Sequence, residues 1–210
     1  MILFILTLVV LFVIYKTHKS NNDVKINKKV LTPEECSTII NLSNQYEYGQ
    51  FREEVDGKPA YEIDIYDTEK EGIILNKTLW EVCKKIYDKH LKSEFKSPEY
   101  VFLRRYTPEE RVELPIHLDS TNVTVLFLLS DTRDFSGGEL FIFDKKFTQK
   151  HKYIGDKSLR MKNEFIKNIK KLPILKYGQG DTVTYSGKEH LHGVLPVTSG
   201  TRYTLSFFFE

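Results

Sequence analysis

From Glu99 to its C-terminus the chain is built of short segments crowded with β-branched and aromatic residues. They read EYVFLRRY, NVTVLFLLS, ELFIF, DTVTYS and RYTLSFFF, separated by turn formers such as SGG and GQG. Such segments are strands, and their near-continuous apolar runs suit strands covered on both faces or a barrel wall with helices outside. Upstream the pattern is helical. In LTPEECSTIINLSNQY, Thr32 can cap, Pro33 fits the first helical position and Glu35 completes a capping box. In NKTLWEVCKKIYDKHL, apolar residues recur at Leu79, Val82, Cys83, Ile86, Tyr87 and Leu91, a helical period. Helices first and strands second predict an α+β chain, a double-stranded β-helix (jelly-roll) barrel with supporting N-terminal helices.

The predicted organisation has four parts: an apolar run (1–15), a polar tether (16–29), a helical support region (30–98) and a strand-rich domain (99–210). The run MILFILTLVVLFVIY would reach about 22 Å as a helix, short of a hydrocarbon core of about 30 Å. No small-x-small cleavage site follows it, so an uncleaved membrane anchor is expected rather than a signal peptide. Formal net charge is only +2 over 210 residues, which argues against a dedicated nucleic-acid binder. Eleven Lys and Arg face three acids between Asp144 and Lys176, however, so the stretch 144–172 reads as a basic insert. A short helix over Lys157–Lys171 is expected there, on a solvated loop. Cys36 and Cys83 are expected to be buried free thiols.

Chemistry concentrates at two places. LPIHLDST sets His117 and Asp119 two residues apart, and on an extended strand such residues point to one face. EHLHGVLPVTSGTRYTLSFFFE brings His190 and His192 before the last strand, with Arg202 ten residues beyond His192. Two imidazoles and one carboxylate on one side of a metal leave positions open for substrates and suit non-haem Fe(II). Strand geometry alone does not choose between His190 and His192. Arg202 shares a strand face with Thr204 and Ser206, and its guanidinium fork can bind a carboxylate.

PIHLDSTNVTVLFLLSD, SGGELFIF and HLHGVLPVTSGTRYTLSFFF together resemble the catalytic domain of the Fe(II)- and 2-oxoglutarate-dependent dioxygenases. The likeness is greatest to procollagen lysyl hydroxylases and prolyl 4-hydroxylases. It covers roughly residues 99–210. The resemblance implies His192, followed by Gly-Val-Leu-Pro, as the third iron ligand beside His117 and Asp119, with His190 at the rim. It implies Arg202 as the anchor of the far carboxylate of 2-oxoglutarate, with Tyr106 or Thr204 standing in for a tyrosine some members carry after H-x-D. It further implies Fe(II), 2-oxoglutarate, O2 and ascorbate as cofactors, a peptide or protein substrate hydroxylated at proline or lysine, and a domain in the endoplasmic reticulum lumen. Lysines following the apolar run argue instead for a cytosolic domain behind a membrane span through residues 1–15. No nucleic-acid partner is expected.

Overall fold

The computed structural model describes residues 23–68 and 73–210. It is a mixed helix and antiparallel-sheet fold. The strands are β1 (Lys25–Asn27), β2 (Glu62–Asp67), β3 (Ile73–Ile74), β4 (Tyr100–Tyr106), β5 (Leu114–His117) and β6 (Val123–Leu128). They continue as β7 (Phe135–Gly137), β8 (Leu140–Ile142), β9 (Thr182–Tyr185), β10 (His192–Val194), β11 (Val197–Gly200) and β12 (Arg202–Phe209). Seven form one sheet in the order β1-β9-β6-β12-β4-β2-β3, three form a second, β5-β10-β8, and β11 pairs with β7. These sheets are not closed onto one another.

Side-chain alternation along the strands of the large sheet sorts its two faces. Leu205, Phe207 and Phe209 of β12 join Val101 and Leu103 of β4 in a core with the helices α1 (Pro33–Ser43) and α2 (Lys77–Ile86). The intervening residues Thr204, Ser206 and Phe208, with Tyr100, Phe102 and Arg104, line a cavity on the other face. Period-two patterning thus gives the sheet one scaffolding face and one working face. The start of α1 is as the sequence predicts. The Glu35 amide donates to Thr32 Oγ1 at 3.2 Å, and the Thr32 amide donates to Glu35 Oε2 at 2.8 Å. Cys36 and Cys83 are free and buried, and burial pushes their thiols up to about 11 and about 12, so neither is a nucleophile.

Three expectations change. The polar tether contains β1, which pairs with β9, and the helical support region contains β2, which pairs with β4. The basic insert is not a solvated loop. It forms α3 (Lys145–His151), capped by Asp144, then a short 3-10 turn (Lys152–Ile154) and α4 (Leu159–Lys167). Phe147, Phe165, Ile166, Ile169 and Leu172 pack on Ile116, Phe141, Phe143 and Leu191, so the insert covers the outer side of the small sheet. Its lysines face water because its apolar residues are used below. The expected membrane attachment is corrected as well. Among the described residues no helix is long and apolar enough to cross a membrane. The longest helix described has 11 residues, about 16 Å at 1.5 Å per residue, half of what a bilayer requires. Residues 1–15, on which that expectation rested, lie outside the described residues.

One lysine of the insert does turn inward. Lys162 is 3% exposed and its Nζ donates to the Val55 carbonyl at 3.0 Å. Burial lowers its pKa, while Asp56 and Asp156 oppose the shift. Val55 and its neighbours Glu53 and Glu54 wall the cavity, so Lys162 ties the insert to that wall. Lys162→Met, which keeps the stem and removes the donor, should lower stability by about 1–2 kcal/mol. Chemical denaturation measures the loss, and amide exchange should rise first around residues 53–59.

Candidate metal centre

β5 and β10 lie side by side and antiparallel, with His117 directly opposite His192. This register sets the two rings 4.2 Å apart between centroids. Asp119 follows β5 by two residues, just beyond the end of the strand. Its Oδ1 lies 3.4 Å from His117 Nε2 and 3.3 Å from His192 Nε2. One donor atom from each residue falls within 4.8 Å of the others. The cluster sits in the wall of a cavity of about 230 Å³ between the large and small sheets.

The local hydrogen bonds fix what each ring offers. A backbone carbonyl can only accept, so His117 Nδ1–H donates to the Pro115 carbonyl at 2.8 Å. By the same reasoning His192 Nδ1–H donates to the His190 carbonyl at 2.9 Å. Both Nε2 lone pairs therefore face the shared point, the arrangement in which imidazole binds metal. Asp119 Oδ2 accepts from the Thr124 hydroxyl, which leaves Oδ1 toward the rings. Burial would push the Asp119 carboxyl up, but His192 and His117 outweigh it and hold the group well below the usual range. Burial, reinforced by His192, lowers the pKa of His117. His192 feels the same burial, but Asp119 outweighs it and raises its pKa. Two neutral nitrogens and one carboxylate oxygen fit a divalent first-row metal, and three protein ligands leave positions for other molecules.

His190 faces the other way. Its Nδ1 bonds the Phe143 carbonyl at 2.8 Å on the insert's side of the small sheet, and its ring takes no part in the cluster. Arg202 is buried, 1% exposed, but lines a neighbouring cavity rather than the one containing the cluster. Its guanidinium lies 5.1 Å from the Tyr106 ring, which belongs to the wall of the metal cavity, as does Thr204.

Sequence reasoning missed three contributors. Thr124 looks like any β-branched strand residue, yet it orients Asp119. Tyr185, at the end of β9, sets its ring edge against His192 at 4.8 Å. Gly187 gives the clearest signal in retrospect, because a Cβ there would lie 2.6 Å from Asp119 Cβ and 2.8 Å from the Thr121 carbonyl oxygen. The Gly187 carbonyl also accepts from the Asp119 amide at 3.2 Å. Gly187→Ala should push the Asp119 turn aside, weakening metal affinity by roughly tenfold or more and costing about 1–3 kcal/mol of stability. Metal titration and thermal unfolding check the two effects.

No protein-family model and no curated protein sequence matches the chain. Solved structures do. An oxidoreductase of the 2OG-Fe(II) oxygenase family from Burkholderia pseudomallei superposes with a TM-score of 0.58 at 13% identity, covering 92% of this chain and 88% of that one. The fold is that of the 2OG-Fe(II) oxygenases. A Trichoplax adhaerens prolyl hydroxylase, solved with a peptide fragment of the hypoxia inducible factor oxygen degradation domain, gives 0.56 at 13% identity over 90% and 84%. A viral collagen prolyl hydroxylase from Paramecium Bursaria Chlorella virus-1, in complex with 2OG, gives 0.51 at 14% identity over 90% and 96%. On this oxygenase fold the chain carries a His-Asp-His cluster, its two histidines buried and its aspartate partly so, able to hold a metal ion.

Proposed function

We propose that the protein is an Fe(II)- and 2-oxoglutarate-dependent dioxygenase that hydroxylates a prolyl or lysyl residue of a peptide, releasing succinate and CO2. The observation that carries this reading is the convergence of His117 Nε2, His192 Nε2 and Asp119 Oδ1 in a cavity of an oxygenase fold. These three residues would hold iron, and Arg202 would hold the distal carboxylate of 2-oxoglutarate. Bound there, iron would couple O2 and the oxidative decarboxylation of 2-oxoglutarate to the insertion of one oxygen into an unactivated C–H bond, with ascorbate serving to keep the metal reduced. The chain's own contribution is placement. Pro115 and the backbone of His190 lock the two tautomers, Thr124 turns the carboxylate, and Leu114, Leu140 and Val194 keep the cavity wall apolar. All four assigned residues lie within 99–210, which we take as the catalytic region, an open form of the jelly roll braced by strands from before residue 99.

A peptide substrate is supported by the peptide held in the Trichoplax relative of this fold. A second groove of about 550 Å³ shares Glu53, Glu54, Tyr100, Phe102 and Arg104 with the metal cavity. Six carboxylates and two arginines line it, and Arg104 is paired to Glu53 and Glu62. The test is incubation with Fe(II), 2-oxoglutarate, ascorbate and proline-rich peptides with and without lysine. Succinate release matched by a mass gain of one oxygen in one of the peptides supports the reading. Absence of 2-oxoglutarate turnover with every peptide contradicts it.

A further inference from the structure

The basic insert runs along one rim of the metal cavity. Its 3-10 turn is anchored by Ile154, which is buried in one apolar cluster with Ile116 and Leu118. Gly155, next in the chain, sets its backbone against the end of β5, where a Cβ built on it would lie 3.9 Å from the Leu118 amide nitrogen. One turn into α4, Lys162 Nζ donates to the Val55 carbonyl at 3.0 Å. Leu118 and Val55 both wall the metal cavity, so residues 155–162 lie along its edge.

The same segment turns a different set of side chains to water. α4 buries Lys162 and half-buries Leu159, Phe165 and Ile166, while its other face carries Arg160, Met161, Glu164 and Lys167. Lys157 is exposed on the turn before it. Among the described residues neither Lys157 nor Arg160 makes an ion pair, and the neighbouring Asp156 acts on the buried Lys162. A face of lysines alone would be an ordinary solvated surface. This one also exposes Tyr153 (53%) and Met161 (47%), and Tyr, Met and Arg are the residues enriched where proteins make contacts. Eleven cations against three acids between Asp144 and Lys176 require a negatively charged partner. Contact with the cavity edge selects, among such partners, the chain that the cavity receives.

We propose that Lys157 and Arg160 form a docking rim for acidic residues flanking the target on one side of a peptide substrate, with Met161 supplying apolar contact beside them. The inference rests on the peptide-hydroxylase reading above. Its test uses one proline-rich peptide in three forms: with a run of glutamates before the target, with the same run after it, and with glutamines instead. Succinate release gives KM for each, and fluorescence anisotropy under anaerobic conditions gives Kd for the Fe(II)-loaded protein. The parent should bind one of the two acidic forms roughly fivefold more tightly than the glutamine form, the scale of two exposed ion pairs. About 1 M salt, where the screening length is about 3 Å, should erase the preference. Lys157→Glu with Arg160→Glu should erase or reverse it and leave the glutamine peptide unaffected, since both side chains are exposed and outside the metal cavity. Equal binding of all three forms by the parent, or a preference that survives the double variant, would overturn the proposal and leave the peptide-hydroxylase reading intact. A single-stranded oligonucleotide bound by the parent and lost in the double variant, with all peptides unaffected, would make the face a nucleic-acid surface and overturn it too. No 2-oxoglutarate turnover with any form would remove the hydroxylase reading and the inference together.

Discussion

Asp119→Ala should abolish Fe(II) binding and leave the fold in place. The carboxylate is the only anionic member of the cluster, and its loss leaves two neutral imidazoles whose affinity for a hard divalent ion is low. The affinity loss should exceed the roughly hundredfold that changes to outer hydrogen-bond partners cause. The fold survives because Asp119 lies on a turn beyond β5, outside the three apolar clusters, so no core cavity opens. The metal-free variant still leaves the Thr124 hydroxyl without its acceptor, at a cost of about 1–3 kcal/mol. Equilibrium dialysis with metal analysis, beside far-ultraviolet circular dichroism, separates the two effects. Stoichiometric iron in the variant would place the metal elsewhere.

The second large effect is at Arg202, where function and stability should move in opposite directions. Arg202→Leu removes a buried guanidinium that has one tyrosine hydroxyl as its hydrogen-bond partner and no carboxylate among the described residues. Replacing an uncompensated buried charge by an apolar side chain is neutral or stabilising, so the metal-free variant should unfold at the same temperature or higher. Its 2-oxoglutarate affinity should fall by roughly a hundredfold or more, the scale on which a buried site depends on a charge-assisted pair of hydrogen bonds to a carboxylate. Arg202→Lys should fall between, because charge survives while the fork is lost. Thermal unfolding read beside cosubstrate titration shows whether the opposition exists. A variant that loses stability and keeps its affinity would mark Arg202 as structural.

Much of this was legible in the sequence, and the gaps have physical causes. The α1 cap, the apolar period of α2 and the strand character of β4, β6, β8, β9 and β12 are local signals, and local signals survive in a linear reading. His117 and Asp119 are close in sequence, so strand periodicity suffices to bring them together. His192 is not: strand periodicity alone left it level with His190, the family resemblance favoured it, and the pairing of β10 with β5 sets it opposite His117 while His190 bonds Phe143 on the opposite side. β1 escaped notice because it is three residues long and becomes a strand only through its partner β9. The insert was misread for a different reason. Its charge is conspicuous in sequence, while the small sheet that needs covering is assembled from β5, β8 and β10, which are far apart in the chain. Gly187 and Thr124 act on Asp119 through packing and hydrogen bonding that composition does not reveal. Membrane attachment was read from residues 1–15, which lie outside the described residues, and the described helices are too short to support it.

The central claim is that His117, Asp119 and His192 hold iron while His190 does not. A crystal structure grown anaerobically with Fe(II) and 2-oxoglutarate, with the metal located by anomalous scattering at the iron edge, tests it most directly. The account predicts one iron peak within bonding distance of Nε2 of His117, Nε2 of His192 and the Asp119 carboxylate, with a carboxylate of the acid at Arg202. An iron peak at His190, or none near Asp119, would contradict it.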